Sequence, residues 1–507
     1  MTVKVRLILM IPDLLNSDNP SQIAAVVPGG PAISYGQLRL QVEALATKLS
    51  QLGIRRGDRV AIALPNGIEM LVSFLAASIA GTAAPLNPAY KLEEFRFYLE
   101  DTGARALIVP AQGTNEAMTA AGEQTLIIEA ALDASGQVLF QSDRPEDSRA
   151  SLNYPIPDDI ALVLHTSGTT SRPKRVPLSH ANVIISAKTV AETYKLSAAD
   201  ISLCVMPLFH VHGLVASALA TFATGGTVVL VPRFNPLSFW SIVKDHRVTW
   251  YSAVPTIHQV LLSRVKEGAK PSGAAYLRFI RSCSAALSAQ TMNEIENKFG
   301  VPVVEAYGMT EAAHQMASNP LPPEVRQPGS VGLETGVRIA ILDEKGAMLP
   351  VATRGEVAIT GPSVFSGYED NPEANAAAFS NEWFRTGDEG YLDSAGYLTL
   401  VGRLKELINR GGEKIAPREV DEALASHPAV AEAVSFAIPD RLYGEGVAAA
   451  VVLRSPTTEA ELIAHCKTLL ADFKCPKVIH IIEAIPRTAT GKIQRRIVAS
   501  EMAKLAG

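Results

Sequence analysis

The sequence predicts an α/β protein that becomes richer in β-strands toward its carboxyl end and finishes in a small α+β domain. Helical and strand patterns alternate from about residue 35 to residue 310, which is typical of βαβ units around a parallel sheet. From Gly329 onward, short β-patterns with many glycines replace that alternation. The 507 residues are enough for several domains.

The alternation can be followed element by element. Apolar residues between Leu38 and Leu49 recur at helical intervals within 35–52, and Gly53 can end that helix. The next predicted elements are a strand over 58–64, a helix over 69–80, and strands over 106–110 and 160–164. The polar segment 133–153 is predicted to be a surface connection, and residues 1–12 a strand or a loose start.

A second set of strands ends in loops that carry small, polar or histidine residues. The predicted strands are 202–206, 227–231, 248–254, 277–282 and 301–306. In open α/β sheets, ligands bind outside the carboxyl ends of the strands, so four of these loops are expected to line one site.

The carboxyl-terminal third has a different secondary-structure pattern. Short β-segments are predicted over 337–342, 355–360 and 397–401, and the charged, glycine-ending stretch 402–412 is predicted to be a junction. The small domain beyond it is predicted to contain helices 417–426 and 459–471 and strands 430–438, 447–453 and 478–482.

Composition narrows the class of protein. A net charge of −5 argues against a nucleic-acid-binding face. The four cysteines show no CxxC spacing, which favours buried thiols in a reducing compartment, and we therefore expect a cytoplasmic protein. No apolar run reaches the ~20 residues of a membrane helix, so no membrane span is expected.

The most informative stretch is the hydroxyl-rich loop from Thr166 to Lys174, which follows a predicted buried strand. Its hydroxyls, its glycine and its terminal lysine are suited to cradle a polyphosphate. The alternative is an ordinary solvated turn. The Walker pattern is not met, because Arg175 follows Lys174 where serine or threonine would be required.

Five motifs in order carry a family resemblance: 166–174, 307–311, 386–388, 402–403 and 490–492. With them the chain resembles the adenylate-forming acyl-CoA synthetases, and segments 207–213, 253–258, 281–286 and 318–322 are most similar to the oxalate–CoA ligases of that family. The resemblance implies two half-reactions. A carboxylate and ATP give acyl-AMP and pyrophosphate, and CoA then displaces AMP.

The resemblance also implies the architecture. Residues 1–402 would form an amino-terminal adenylation domain of two α/β subdomains and a β-barrel-like subdomain. Residues 403–406 would be the hinge, with Lys405 at the hinge position, and 407–507 a small α+β lid that rotates between the half-reactions. ATP, Mg²⁺ and CoA are the implied cofactors and co-substrates.

Individual roles follow from the motif positions. Lys492 matches the adenylation lysine, and Glu311 matches the magnesium position. The implied nucleotide-binding and CoA-binding residues are Thr166, Ser167, Gly168, Thr169, Thr170, Lys174, Tyr307, Thr310, Asp388, Arg403, Gly411 and Gly412. Of these, Tyr307 would stack on adenine, Asp388 and Arg403 would bind the ribose, and the two glycines would border the pantetheine tunnel.

Three residues in the strand-end loops are expected to face the acid: His210, Ser284 and His314. Two imidazoles and a hydroxyl suit a second carboxylate, which favours oxalate, with malonate as the near competitor. His210 could instead be general adenylation machinery, His314 could stand behind the pocket, and His210-x-His212 could be half of a zinc site. Arg278 and Arg281 could add positive potential or could lie on the surface.

Arg175 departs from the family, whose members usually have glycine there. A left-handed backbone would strain an arginine, whereas an extended one would let it reach solvent or a phosphate.

Three functions stay open: an oxalate–CoA ligase; a ligase for another short or polar acid, of the malonate, short fatty acid or coumarate type, or one loading a carrier protein; and a non-catalytic nucleotide-binding relative. The assembly is expected to be a monomer or a homodimer.

Overall fold

The computed structural model describes residues 10–111, 116–166, 173–266, 268–488 and 493–506. Within these ranges the chain forms four β-sheets, two large and two small. The two large sheets are mainly parallel and the two small ones mainly antiparallel, as the change in sequence texture predicts. The α/β class is therefore confirmed.

The first sheet contains seven described strands, and its central ones are parallel. In spatial order they are Val138–Gln141, Leu126–Leu132, Ala104–Pro110, Arg59–Ile62, Thr82–Pro85, Ile160–Thr166 and Lys174–Ser179. The helices of this region are Tyr35–Gln51, Ile68–Ala80, Leu92–Thr102, Glu116–Ala120 and His180–Thr193. The helix Ile68–Ala80 is buried on all sides except at Glu69, in keeping with its uniformly apolar sequence.

One expectation for this region is wrong. Segment 133–153 is not only a surface connection, because Val138–Gln141 pairs antiparallel with Leu126–Leu132 and buries Val138 and Phe140. This edge strand has only four residues and lies in a mostly polar segment, so the sequence gives little sign of it. Most of the amino-terminal segment 1–12 lies outside the described residues, and its described end enters the 3₁₀-helix Ile11–Leu15.

The second sheet contains nine described strands. Their spatial order is Leu333–Glu334, His314–Ser318, Val303–Met309, Phe279–Ser282, Trp250–Ala253, Ile201–Cys204, Thr227–Leu230, Ile23–Val26 and Ala32–Ser34. The helical segments here are Val211–Gly213, the π-helix Leu214–Leu219, Ala220–Phe222, Phe239–Asp245, Pro255–Ser263, the 3₁₀-helices Ala274–Tyr276 and Thr310–Ala312, and Ala289–Phe299. Four adjacent parallel strands therefore end at one edge, as the loop pattern predicts.

The third sheet is antiparallel and follows the glycine-rich segment of the sequence. Its strands are Arg338–Leu342, Gly355–Thr360, Trp383–Leu392, Phe379–Ser380 and Leu398–Arg403, with the helix Pro372–Ala378 beside them. The register of one strand pair sets Asp388 directly opposite Arg403. This pairing brings two sequence-predicted site residues together through the backbone alone.

The last sheet begins inside the stretch 402–412 that is predicted to be a junction. A 3₁₀-helix, Leu404–Glu406, joins Arg403 to the strand Ile408–Arg410. The remaining strands are Glu413–Ile415, Gly444–Leu453, Val430–Asp440 and Val478–Ile481, and the helical segments are Pro417–Ala425, Glu459–Leu469, Asp472–Lys474 and Arg495–Ala506. The strands Ile408–Arg410 and Glu413–Ile415 and the two 3₁₀-helices are not predicted; the rest of this α+β pattern follows the predicted elements, and Arg495–Ala506 extends it.

Two further expectations can be compared with the fold. The four cysteines all lie in the described ranges, and each is buried as a free thiol, as their spacing predicts. Among the helices of the described ranges, none combines the length and the apolar character that a bilayer crossing requires.

Candidate active site

A cavity of about 1750 Å³ opens where the parallel strands of the second sheet end. The lining includes ten of the residues singled out by sequence: Thr166, His210, Ser284, Tyr307, Thr310, Glu311, His314, Asp388, Arg403 and Lys405. Neighbouring parallel strands of the second sheet carry His210, Ser284 and the segment 307–314 to one edge, whereas Thr166 comes from the first sheet and Asp388, Arg403 and Lys405 from the third sheet and the connection after it. Residues of the carboxyl-terminal sheet and its helices, such as Arg418 and Arg495, close the opposite side.

The remaining predicted residues lie elsewhere. Ser167, Gly168, Thr169, Thr170 and Lys492 fall outside the described residues, although Thr488 and Ile493, on either side of the lysine segment, line the cavity. Gly411 and Gly412 form the exposed turn between Ile408–Arg410 and Glu413–Ile415, with φ values of 62° and 99°. They are not part of the cavity lining in this arrangement.

The nucleoside end of the cavity is organised around Asp388. Its two carboxylate oxygens are already in use: the Tyr307 hydroxyl donates to one, and the Arg403 Nε lies 3.0 Å from the other. Burial and the nearby carboxylate raise the pKa of Tyr307, so its hydroxyl stays a donor. The three residues thus place an aromatic ring next to a carboxylate and a guanidinium. A ring can stack on an aromatic base, and the two charged groups can bind the hydroxyls of a diol.

A second cluster lies between the phosphate loop and the metal position. Glu311 is buried and accepts a 2.9 Å hydrogen bond from the hydroxyl of Tyr368. The Nζ of Lys174 lies 4.3 Å from the centroid of the same tyrosine ring. Burial raises the pKa of Glu311, and burial together with the nearby Lys405 lowers the pKa of Lys174. Glu311 and Lys174 also attract each other, which offsets part of the cost of their burial.

The donor set at Glu311 fits magnesium in the way nucleotide enzymes commonly use it. Mg²⁺ is usually held by one or two carboxylates together with phosphate oxygens and water. A divalent cation next to Glu311 would supply the charge that its buried carboxylate needs to stay ionised.

A fully buried arginine, Arg281, lies behind the part of the cavity that His314 lines. Its Nε donates to the Tyr194 hydroxyl at 2.9 Å, and one terminal nitrogen donates to Ser252 Oγ at 2.9 Å. The other terminal nitrogen donates to Gln315 Oε1 at 3.0 Å and lies 3.4 Å from His314 Nδ1. In the described part of the chain, no carboxylate is bonded to this cation.

A hydrogen-bond relay connects Arg281 to the cavity through Ser252, His212 and Ser284. His212 Nε2 lies 2.6 Å from Ser252 Oγ, and its Nδ1 lies 2.9 Å from Ser284 Oγ. Because arginine only donates, Ser252 Oγ accepts a hydrogen bond from Arg281. The Ser252 hydroxyl can then donate its own hydrogen bond to His212 Nε2. The proton of His212 is then on Nδ1 and points at Ser284, whose own hydroxyl is left to donate toward the cavity; this order is assigned from the network.

The loops that carry this end of the cavity are conformationally strained. Ser284, Ala313 and His314 have φ values of 71°, 53° and 139°, in the region that favours glycine. Gly308 makes the close packing possible, since a Cβ there would lie 2.1 Å from the backbone oxygen of His314. Such outliers cluster at ligand sites, because the surrounding fold must impose them.

His210 begins the short helix Val211–Gly213, and its Nδ1 accepts a 3.2 Å hydrogen bond from the backbone of His212. The two imidazoles of the HxH pair therefore have different surroundings, since His212 turns to Ser252 and Ser284. Among the described residues, no group of three or more histidine, cysteine, aspartate or glutamate side chains is arranged to hold a metal. The zinc interpretation has no support here.

The expectations for two arginines, Arg281 and Arg175, need correction. Arg281 does not lie on the surface, while Arg278 is partly exposed and pairs with Asp200 at 2.6 Å. Arg175 does not reach into solvent, since its side chain is only 15% exposed. It lies in the strand Lys174–Ser179 without a left-handed backbone, and carboxylates surround its side chain.

Sequence reasoning missed three residues that stand behind the cavity lining and bind residues in it: His212, Ser252 and Tyr368. Arg281 and Ser252 carry a usable signal, because each is polar within an apolar strand whose neighbours are buried. Tyr368 lies in a loop with no distinguishing pattern, and only the fold brings it to Glu311.

Known proteins resemble the chain along nearly its whole length. Residues 16–369 match the AMP-binding enzyme family, and residues 419–492 match the AMP-binding enzyme C-terminal domain. The oxalate–CoA ligase of Arabidopsis thaliana is 48% identical over 493 residues, 95% of each chain. The oxalate–CoA ligase of Saccharomyces cerevisiae is 45% identical over 479 residues, 89% of this chain and 88% of the relative.

Among solved structures, ATP-bound MatB from Rhodopseudomonas palustris superposes with a TM-score of 0.88 at 30% identity, covering 99% of this chain and 100% of MatB. This neighbour confirms the adenylate-forming enzyme fold, and its bound ATP accords with a nucleotide site in the cavity. The chain belongs to the AMP-binding enzyme family and is an AMP-forming acid–CoA ligase that uses ATP, Mg²⁺ and CoA.

Proposed function

We propose that the acid is oxalate, so that the enzyme converts oxalate, ATP and CoA to oxalyl-CoA, AMP and pyrophosphate. The observation that carries this proposal is the buried Arg281, whose relay presents donors at the acyl end of the cavity. The names of the two oxalate–CoA ligases that share nearly half of its residues support the same acid.

The charge argument favours a second carboxylate. A buried cation is costly unless it is paired with an anion. The nearest place for such an anion is the cavity next to Ser284 and His314, because the described partners of Arg281 are uncharged or aromatic groups. Oxalate keeps one carboxylate ionised after its other carboxylate joins the α-phosphate, whereas a fatty acid brings no remaining charge.

The tautomers support the same conclusion. Since Arg281 donates toward His314 Nδ1, that nitrogen accepts and the imidazole proton is on Nε2. His314 and Ser284 both line the cavity and both offer donors, which is what an anion requires. An apolar acyl chain would offer these two side chains no acceptor, whereas a carboxylate accepts hydrogen bonds from both.

The roles in adenylation are part of the proposal. Thr166 and Lys174, with the loop between them, would hold the β- and γ-phosphates, and Glu311 would hold magnesium. Magnesium, when bound, would neutralise phosphate charge as pyrophosphate leaves. Lys492 and His210 would stabilise the charge that develops where the carboxylate meets the α-phosphate.

The proposed division into 1–402, 403–406 and 407–507 is supported by the change of sheet after Arg403. Lys405 lies in the 3₁₀-helix Leu404–Glu406, between the two sheets, where a hinge would absorb rotation. Gly411 and Gly412 would reach the pantetheine arm only after such a rotation. We further propose a cytoplasmic location and a monomer or homodimer; the free thiols are compatible with a reducing compartment.

Pyrophosphate release with MgATP and a set of acids tests the proposal. Oxalate should give the highest kcat/KM, with malonate next and hexanoate and coumarate far lower. Activity with hexanoate or coumarate and none with oxalate would contradict the dicarboxylate pocket. No turnover with any acid, despite measurable ATP binding, would favour the non-catalytic alternative.

A further inference from the structure

Arg175 follows the phosphate-loop lysine directly, and its side chain is only 15% exposed. It lies on the strand Lys174–Ser179, in register with His165 on the neighbouring strand. The family resemblance leads one to expect glycine here, so the bulk and charge of this side chain call for an explanation of their own.

Three carboxylates surround the guanidinium. Its Nε donates to Glu369 Oε2 at 3.0 Å, and one terminal nitrogen donates to Asp370 Oδ2 at 2.5 Å. The other terminal nitrogen lies 3.2 Å from Asp101 Oδ2 and also donates to the Asp101 backbone oxygen. Arginine therefore uses its planar fork to tie the end of the helix Leu92–Thr102 to the segment 369–370.

The segment 369–370 is also held by a backbone hydrogen bond and by a second arginine. The amide of Glu369 donates to the backbone oxygen of Arg175 at 3.1 Å. Arg59 binds the other carboxylate oxygen of Glu369. Residues 369 and 370 are thus fixed to the first sheet, although they belong to the part of the chain that leads into the third sheet.

Tyr368 is the residue next to this anchor, and it touches both halves of the phosphate and metal cluster. Its hydroxyl donates to Glu311 at 2.9 Å, and Lys174 lies over its ring at 4.3 Å. The amide of Phe365 donates to the Glu311 backbone oxygen at 2.8 Å, which fixes the other side of the loop. Two consecutive residues, Lys174 and Arg175, therefore dock on two consecutive residues, Tyr368 and Glu369.

We propose that Arg175 is a positioning residue for the pyrophosphate and metal cluster, acting through Tyr368. Arg175 holds Glu369 and Asp370, and this fixes the position of the neighbouring Tyr368. In that position the Tyr368 ring contacts Lys174, and the Tyr368 hydroxyl orients the Glu311 carboxylate. This inference rests on the proposed roles of Lys174 and Glu311 in binding MgATP. It does not depend on which acid the enzyme uses.

The test compares the binding of two nucleotides by the full-length protein. AMP lacks the β- and γ-phosphates, so it reports the nucleoside end alone, whereas MgATP also reports the cluster around Tyr368. Calorimetry on Arg175→Gln should show MgATP binding weakened by roughly tenfold or more, the usual effect of removing an outer partner of a metal site. AMP binding should stay within about twofold of wild type.

Three variants sharpen the comparison. Arg175→Lys keeps one charge but cannot bridge three carboxylates, so its loss of MgATP affinity should be intermediate. Tyr368→Phe removes the hydroxyl. The double variant Tyr368→Phe with Arg175→Gln should lose less MgATP affinity than the sum of the two single losses, because both residues act on Glu311 through the same tyrosine. Arg326→Gln is the matched control, since Arg326 is 20% exposed and paired with Glu296 away from the cavity.

Equal weakening of AMP and MgATP in Arg175→Gln, or a lower melting temperature with unchanged MgATP binding, would overturn the proposal. If Arg175→Gln does not fold, the same two outcomes in Arg175→Lys decide it. A wild-type protein that binds MgATP but does not use oxalate would refute only the proposed acid. A wild-type protein that binds no MgATP would refute the proposed nucleotide site itself.

Discussion

At the scale of single residues, the proposed preference for oxalate depends on side chains that lie apart from Asp388, Tyr307 and Arg403. Arg281, Ser252 and His212 form a buried line behind Ser284, and His314 stands beside it. Arg281 and Ser252 belong to no catalytic motif in the sequence. Each is a polar residue in a mostly apolar, buried strand, where its burial costs free energy unless hydrogen bonds offset it.

His314→Ala tests the acid pocket with the smallest change. Loss of one donor to a charged group should lower kcat/KM for oxalate by roughly tenfold to a hundredfold. MgATP binding, measured separately by calorimetry, should be unchanged because His314 lies at the acyl end. An equal loss of ATP affinity would refute its placement there.

Arg281→Met tests the electrostatic argument directly. Removing the buried cation should reduce kcat/KM for oxalate by at least roughly a hundredfold and narrow the gap between oxalate and hexanoate. Arg278→Met, three residues earlier, is the control. It removes the partner of the buried Asp200 and should lower stability, but Arg278 does not line the cavity, so oxalate kinetics should stay within about twofold. An unchanged preference for oxalate in Arg281→Met would contradict the proposed source of specificity.

Glu305 gives a prediction about stability rather than turnover. Burial raises its pKa from 4.5 to about 7, and its Oε1 accepts a 3.0 Å hydrogen bond from the Leu287 amide. The folded protein therefore holds a proton that the unfolded chain releases near pH 4.5, so this group makes stability fall as pH rises from about 4.5 to about 7.

Glu305→Gln keeps the acceptor and removes the charge. Compared with wild type, the variant should be more stable at pH 8 by up to about 3 kcal/mol, and the two proteins should converge near pH 4. Urea unfolding across this range measures the difference. A constant difference at all pH values would contradict a carboxyl group that titrates in the folded state.

At the scale of elements, sequence periodicity predicts the strands and helices well because most of them are buried on regular faces. It does not predict which strands are neighbours, and the site depends on that. Asp388 and Arg403 meet because of an antiparallel register, while Glu311 and Tyr368 meet through a loop between sheets. The edge strand Val138–Gln141 was missed because it is only four residues long and lies in a mostly polar segment.

Lys405→Pro tests the connection between the third and last sheets. Proline fixes φ at the centre of the 3₁₀-helix Leu404–Glu406, so the lid should keep only one of its two positions. The two half-reactions should then be affected unequally, by roughly a hundredfold or more in one of them. Equal effects on pyrophosphate release and on thioester formation from supplied acyl-AMP would argue against a hinge at this residue.

At the scale of the whole molecule, the cavity is shared between the parts of the chain before and after residue 403. The motifs predict this sharing only through family resemblance, because contacts between distant segments leave no periodic signal. Five of the predicted site residues, including Lys492, lie outside the described ranges, and their roles stay predictions.

Lys492→Ala separates the two halves of the reaction. The variant should lose acyl-AMP formation by at least roughly a hundredfold, since a cation at the reacting bridge stabilises charge only during that step. It should still form oxalyl-CoA from supplied oxalyl-AMP and CoA. Loss of both steps to the same degree would contradict the assigned role.

The most direct measurement of the central claim is an internal competition. The enzyme is given equal concentrations of oxalate, malonate, hexanoate and coumarate with limiting ATP, and the CoA thioesters are quantified by mass spectrometry. The product ratios then report the ratios of kcat/KM. The pocket built on Arg281 predicts oxalyl-CoA as the main product, whereas a majority of hexanoyl-CoA or coumaroyl-CoA would contradict it.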